Sequence, residues 1–268
     1  MSNRLALAAL ALVLIDLAPC TRAQSLPAPS LRVFIAGDST ASAYPRERYP
    51  RMGWGQVIDR LYDRGVEVRN HAQSGRSARS FIEEGWLYGI AREIRAGDVL
   101  LIQFGHNDEK REDPTRYDEP LIAFPLWLRQ YIDLARAAGA RPVLITPVAR
   151  RHFLDGNAID QHGAYGEAVR ALAWREHVQL IDLGRDSLAW LQSIGADLST
   201  RYYLHVAAQG LHDDTHFQER GALQVACLVA ERLDAIDADI ARHRIDDVDC
   251  AAARGRLATG RGENVAPR

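Results

Sequence analysis

Five short runs rich in β-branched and aliphatic residues recur along the chain, separated by longer stretches whose apolar residues fall at helical spacing. This alternation limits the fold more than any other feature. The β-type runs are Leu31 to Ala36, Val66 to Asn70, Val99 to Phe104, Pro142 to Thr146 and Val178 to Asp182. The helix-like stretches are Trp54 to Arg64, Trp86 to Ile94, Leu121 to Ala138, Gly166 to Glu176 and Phe217 to Ile236. Within them, Val57, Ile58, Leu61 and Tyr62 share one face, as do Leu128, Tyr131, Ile132 and Ala135. Strands alternating with helices predict parallel βαβ units, with helices covering both faces of one five-stranded sheet. Such a sheet gathers its functional groups at the C-terminal ends of its strands.

With 268 residues, 47% apolar, and no internal repeat, the chain reads as one domain, residues 31–250. Arg4, the apolar run Leu5 to Leu17 and the small residue Ala23 read as a secretory signal peptide over residues 1–23, too short to span a membrane stably. The protein is therefore expected to be secreted or periplasmic. Leu17-Ala18-Pro19-Cys20 also resembles a bacterial lipoprotein box, from which Pro19 departs, so lipid anchoring is the lesser reading. Residues 251–268, rich in Ala, Gly and Arg without periodicity, read as a mobile tail. Removing the leader leaves Cys227 and Cys250, which form either a disulfide or two free thiols.

The formal charge of −2 argues against a nucleic-acid partner held by phosphate neutralisation. Lys110 is the only lysine, and no glycine-rich loop precedes it, which removes P-loop chemistry.

Chemistry-bearing residues stand just after the first three strand-like runs. Gly37-Asp38-Ser39-Thr40 puts a hydroxyl at the sheet edge, although Asp and Ser are also ordinary turn formers. Gly75 follows the second run, and glycine lets a backbone N–H approach an anion closely. Gly105-His106-Asn107-Asp108 follows the third, with an amide donor in Asn107 and supporting or turn roles for His106 and Asp108. Ahead of the last helix-like stretch, Asp213 and His216 are three apart, so one turn of chain can set the carboxylate beside the imidazole. That is the orienter and base of a Ser-His-Asp triad.

Taken together, these blocks resemble the SGNH (GDSL-type) hydrolase superfamily, whose named residues would here be Ser39, Gly75, Asn107 and His216. The resemblance extends to the rhamnogalacturonan acetylesterase family through Gly53-Trp54-Gly55, Gly75-Arg76-Ser77-Ala78-Arg79-Ser80, Phe104-Gly105-His106-Asn107-Asp108, Pro147-Val148-Ala149-Arg150-Arg151 and Asp213-x-x-His216. It implies a flavodoxin-like αβα sandwich that removes acetyl groups from pectic rhamnogalacturonan without metal or cofactor. Ser39, Asp213 and His216 would be catalytic, and Ser39, Gly75 and Asn107 would form the oxyanion hole. Arg76, Arg79, Arg150 and Arg151 either meet a uronate carboxylate of the polysaccharide or brace the loops, and Trp54 and Trp86 either stack on sugars or pack.

Other readings stay open on sequence. Another acetylated polysaccharide such as xylan, or a lysophospholipase or thioesterase substrate, suits the same residues. His212, Asp213 and His216 suggest a metal-dependent hydrolase, and a non-catalytic carbohydrate-binding module can share the fold.

Overall fold

All five β-type runs become strands of one parallel sheet in the computed structural model, which describes residues 31–245 and Cys250. The expected leader and tail lie outside the described residues. The strands are β1 (Leu31–Gly37), β2 (Val66–Asn70), β3 (Val99–Gln103), β4 (Arg141–Ile145) and β5 (Gln179–Ile181). Their order is β2-β1-β3-β4-β5, with Ile35 of β1 opposite Asn70 on one side and Leu101 on the other. The chain winds one way from β1 and then the other, which opens a crevice at the strand C-termini between β1 and β3.

The pleat sends alternate side chains to opposite faces, and both faces are covered. Phe34, Ala36, Leu100 and Ile102 pack against α1 (Ala78–Glu83), α2 (Trp86–Ala91), α3 (Ala123–Ala137) and α4 (Ala164–Glu176). Val33, Ile35, Leu101 and Val143 pack against α5 (Leu183–Ser199) and α6 (Glu219–Ile236). In α3 the stripe Phe124, Leu128, Tyr131, Ile132 and Ala135 is buried, and Gly139 at φ +72° ends the helix in a conformation other residues resist. The helices and sheet thus make the expected αβα sandwich. No helix among the described residues is long and apolar enough to cross a membrane.

Three local expectations are corrected. The stretch Trp54 to Arg64 is not one helix but two 3-10 turns, Trp54–Gln56 and Ile58–Leu61. Gly53 N and Trp54 N bond to the carbonyls of Ser42 and Thr40, and a Cβ on Gly53 would sit 2.3 Å from Ser42 O. Backbone docked against backbone overrides the helical pattern, though Trp54, Val57, Ile58 and Leu61 are still buried. Trp86 is not core: it is 38% exposed, its indole N–H on Glu84. Phe217 belongs to a strand rather than to the last helix. It lies in β7 (Leu211–Gln218), which pairs antiparallel with β6 (Tyr203–Val206) and with the short strand Arg51–Met52. This second sheet was not expected, and it carries Asp213 and His216. Cys227 of α6 is disulfide-bonded to Cys250, with Cα atoms 6.0 Å apart.

Candidate active site

The chain leaves β1 through a turn fixed almost entirely by buried hydrogen bonds. The Asp38 carbonyl accepts from the amides of Ala41 and Ser42, and its Oδ1 accepts from the Thr40 amide and hydroxyl (2.9 and 2.8 Å). Gln103 at the end of β3 donates to Thr40 Oγ1 and accepts from the Trp54 indole. Ser39 is thereby held on a rigid turn with its hydroxyl at the crevice.

The imidazole arrives from the second sheet. The β6–β7 register shifts between Asp213 and Phe217. Within that irregularity Asp213 Oδ1 accepts the amides of Thr215 (2.8 Å) and His216 (3.0 Å). The turn lies inside a strand that leads directly into α6, and it brings the predicted pair together. Asp213 Oδ2 is 2.7 Å from His216 Nδ1, and His216 Nε2 is 2.8 Å from Ser39 Oγ. Burial would raise the Asp213 carboxyl, but His216 and the two backbone donors hold it well below the carboxylate range. An ionised Asp213 fixes the proton on Nδ1, which leaves the Nε2 lone pair to accept the Ser39 hydroxyl.

Three donors stand on the loops that follow β1, β2 and β3. The amides of Ser39 and Gly75 find no acceptor among the described residues, and Gly75 takes φ +83°, which turns its peptide where an L side chain is strained. Asn107 donates one Nδ2 hydrogen to Arg76 O at 3.0 Å, leaving the second for a ligand, and Arg116 lies 3.5 Å from its Oδ1. The two donor loops are tied by the buried Asp108, whose carboxylate oxygens accept from Ala78 N and Gly105 N. A hydroxyl hydrogen-bonded to an oriented imidazole can add to a carbonyl, and donors at the same sheet edge can hold the resulting oxyanion.

His106 and Asp108 both act in support. His106 Nδ1 lies 3.1 Å from Asp38 Oδ2 and its Nε2 3.1 Å from Val148 O. His162 reaches the same carbonyl and, through Nδ1, Glu109, which also holds Arg150, itself bonded to Thr215 beside His216. A line of polar contacts therefore joins the Ser39 turn to the His216 turn. Burial would raise the Asp38 carboxyl, but His106 and Thr40 bring it down to about 2. Burial, with the charges of His162 and Arg150 acting against Asp38, lowers the His106 ring to about 4. A histidine with a depressed folded-state pKa stabilises the fold above the unfolded value near 6.5, and that contribution is lost as pH falls toward 4. Denaturant titrations between pH 7 and 4.5 should show stability falling as pH falls, with a shallower pH slope in His106→Gln. Equal slopes in the two chains would remove His106 from the acid response.

The arginines do not stand free. Arg76 is paired with Glu84, and Arg79 with Asp118 and the carbonyls of Pro114 and Tyr117. Arg150 is held as described, and Arg151 joins Asp214, Ser199 and Ala196 O. They brace the loops, and Trp54 packs. His212 does not join His216 as a ligand pair; it packs edge-on against His205, and no group of three or more metal-binding side chains stands together among the described residues. Sequence reasoning missed Tyr44, whose hydroxyl donates to Ser39 O at 2.8 Å, and Arg116 beside Asn107. Neither sits in a recognisable motif, so only the fold reveals them.

Residues 35–222 match the model of the GDSL-like lipase/acylhydrolase family. The rhamnogalacturonan acetylesterase RhgT of Bacillus subtilis (strain 168) is 41% identical over 223 residues, 80% of this chain and 94% of that protein. The probable rhamnogalacturonan acetylesterase YesY of the same organism is 40% identical over 199 residues, 74% of this chain and 90% of that protein. The crystal structure of Bacillus subtilis YxiM superposes with a TM-score of 0.65 at 28% identity, covering 78% of this chain and 58% of that one. Given this extent of similarity around an intact Ser39–His216–Asp213 line, the chain belongs to the GDSL-like lipase/acylhydrolase family and is a carboxylic-ester hydrolase.

Proposed function

We propose that this esterase is exported and removes O-acetyl groups from pectic rhamnogalacturonan, with Ser39 as nucleophile, His216 as base and acid, and Asp213 as its orienter. The observation that carries the mechanism is the unbroken hydrogen-bonded line from Asp213 to Ser39, ending beside the unpaired amides of Ser39 and Gly75. The substrate reading is supported by the two Bacillus relatives at 41% and 40% identity. The apolar leader and the Cys227–Cys250 bond support export to an oxidising compartment.

In the first half-reaction Ser39 Oγ bonds to the acetyl carbonyl carbon while its proton passes to His216 Nε2. The carbonyl electrons move onto oxygen, which the Ser39 and Gly75 amides and the Asn107 amide receive. Collapse breaks the bond to the sugar oxygen, which takes the proton from His216. Water then repeats the sequence on the acetyl-serine and releases acetate, leaving Ser39 and His216 as they began. Every step uses side chains and backbone amides of this chain with water, so no cofactor enters the scheme.

The test is acetate release by the purified protein, with and without chelator, from acetylated rhamnogalacturonan, acetylated xylan and a long-chain ester. Preferential, chelator-insensitive release from rhamnogalacturonan is expected. Preference for xylan or the long-chain ester would overturn the substrate, and loss of activity with chelator would overturn the metal-free mechanism. No release from any of them would favour a binding module.

A further inference from the structure

We propose that Lys110 determines specificity at this site by receiving a uronate carboxylate of the sugar chain, within one residue of the acetylated position. The proposal rests on the acidic polysaccharide assigned above and adds the group that recognises its charge.

The four arginines singled out in the sequence are spent on carboxylates and carbonyls of the fold, so none presents an open guanidinium to a ligand. Lys110 differs. Its ammonium makes no hydrogen bond or ion pair with any described residue, although its side chain is only partly exposed. Its amide donates to Asn107 O at 3.2 Å, so it stands one turn beyond the oxyanion donor. Partial burial, then the charges of Arg116 and Arg150, hold the ammonium below the ordinary lysine range. An unpaired cation pressed by two others is stabilised by an arriving anion.

The surrounding shape agrees. Lys110 lines a cavity of about 600 Å³ together with Arg111, Arg150 and His162. Gly75, Arg76 and Arg116, the last 3.5 Å from Asn107 Oδ1, line a second cavity of about 390 Å³. A polymeric ligand acetylated at the centre can extend into both. Of the carboxylates lining the larger cavity, Glu109 is taken by Arg150 and His162, and Asp160 caps the His162 amide. Glu112 attracts Lys110 without pairing with it. A compact ammonium with three donors can serve a sugar carboxylate and a neighbouring hydroxyl together.

The deciding measurement is the inhibition of 4-nitrophenyl acetate hydrolysis by unacetylated oligogalacturonate and by neutral xylo-oligosaccharide, in the native chain, Lys110→Met and Lys110→Arg. An inhibition constant is read from competition and does not depend on the basal rate. Oligogalacturonate should bind the native chain more tightly than xylo-oligosaccharide, and Lys110→Met should weaken it about tenfold, the scale of one charge-assisted hydrogen bond. Lys110→Arg should stay within about threefold of native, since it keeps the charge. Added salt should weaken oligogalacturonate in the native chain and hardly affect Lys110→Met. An unchanged oligogalacturonate constant in Lys110→Met, or an equal loss for xylo-oligosaccharide, would overturn the proposal. If the native chain releases no acetate from rhamnogalacturonan, the substrate reading falls by itself, while the inhibition series still decides whether Lys110 holds a carboxylate.

Discussion

Ser39→Ala is expected to lower kcat for acetyl-ester hydrolysis by about a million-fold, with KM little changed. In the proposed mechanism the hydroxyl forms the covalent bond to the acetyl carbon, and among the described residues the one hydrogen-bond partner of His216 Nε2 is Ser39 Oγ. Residual turnover of roughly a thousandfold over water should persist, because the Ser39 and Gly75 amides and the Asn107 side chain remain. The fold should be unaffected. Ser39 Oγ makes no other hydrogen bond among the described residues, whereas the turn is fixed by Asp38, Thr40 and Gln103. The experiment is steady-state hydrolysis of 4-nitrophenyl acetate beside a thermal melt. An unchanged melt with more than a few per cent of native turnover would mean that Ser39 is not the nucleophile.

How far the sequence reveals this site depends on how each residue is held. Ser39, Gly75 and Asn107 are legible because they follow β-type runs, and a parallel sheet puts all its C-terminal ends on one edge. The Asp213–His216 pair is legible from its spacing, whereas the strand that carries it is not. Spacing puts the two side chains on one turn of chain, and the register shift between Asp213 and Phe217 in β7 supplies that turn. The second sheet was illegible because His212 to His216 is almost wholly polar and its partner strand, Tyr203–Val206, is four residues long. Helix α5 was passed over although Leu183, Trp190, Leu191 and Ile194 are buried along it; Gly195, at φ +78°, interrupts the pattern. For Trp54 to Leu61 the pattern was present and the conclusion wrong, since two glycines let that segment dock on the Ala41–Ser42 turn. Arg76 and Arg79 could not be sorted into ligand-binding or bracing roles without their partners Glu84 and Asp118.

Asp213→Asn should cost about ten-thousandfold in kcat while leaving the protein folded. Local geometry makes the substitution unusually decisive. Two backbone amides, those of Thr215 and His216, point at Asp213 Oδ1, so an asparagine must place its carbonyl oxygen there and turn its NH₂ toward His216 Nδ1. The imidazole must then accept at Nδ1 and carry its proton on Nε2, facing Ser39 Oγ with a hydrogen where a lone pair is needed. No neighbour can restore the native tautomer. Asp214, the adjacent carboxylate, is engaged with Arg151 at 2.9 Å and His205 at 2.7 Å. Because the turn keeps both backbone bonds, the melt should stay close to native. Asp213→Ala should lose those bonds as well as the carboxylate, and so should combine a large kcat loss with lower stability. Steady-state kinetics of both variants on 4-nitrophenyl acetate, with melts alongside, separates the two contributions. Native-like turnover in Asp213→Asn would show that the carboxylate charge does not set the His216 tautomer, and would leave Asp213 as a turn residue only.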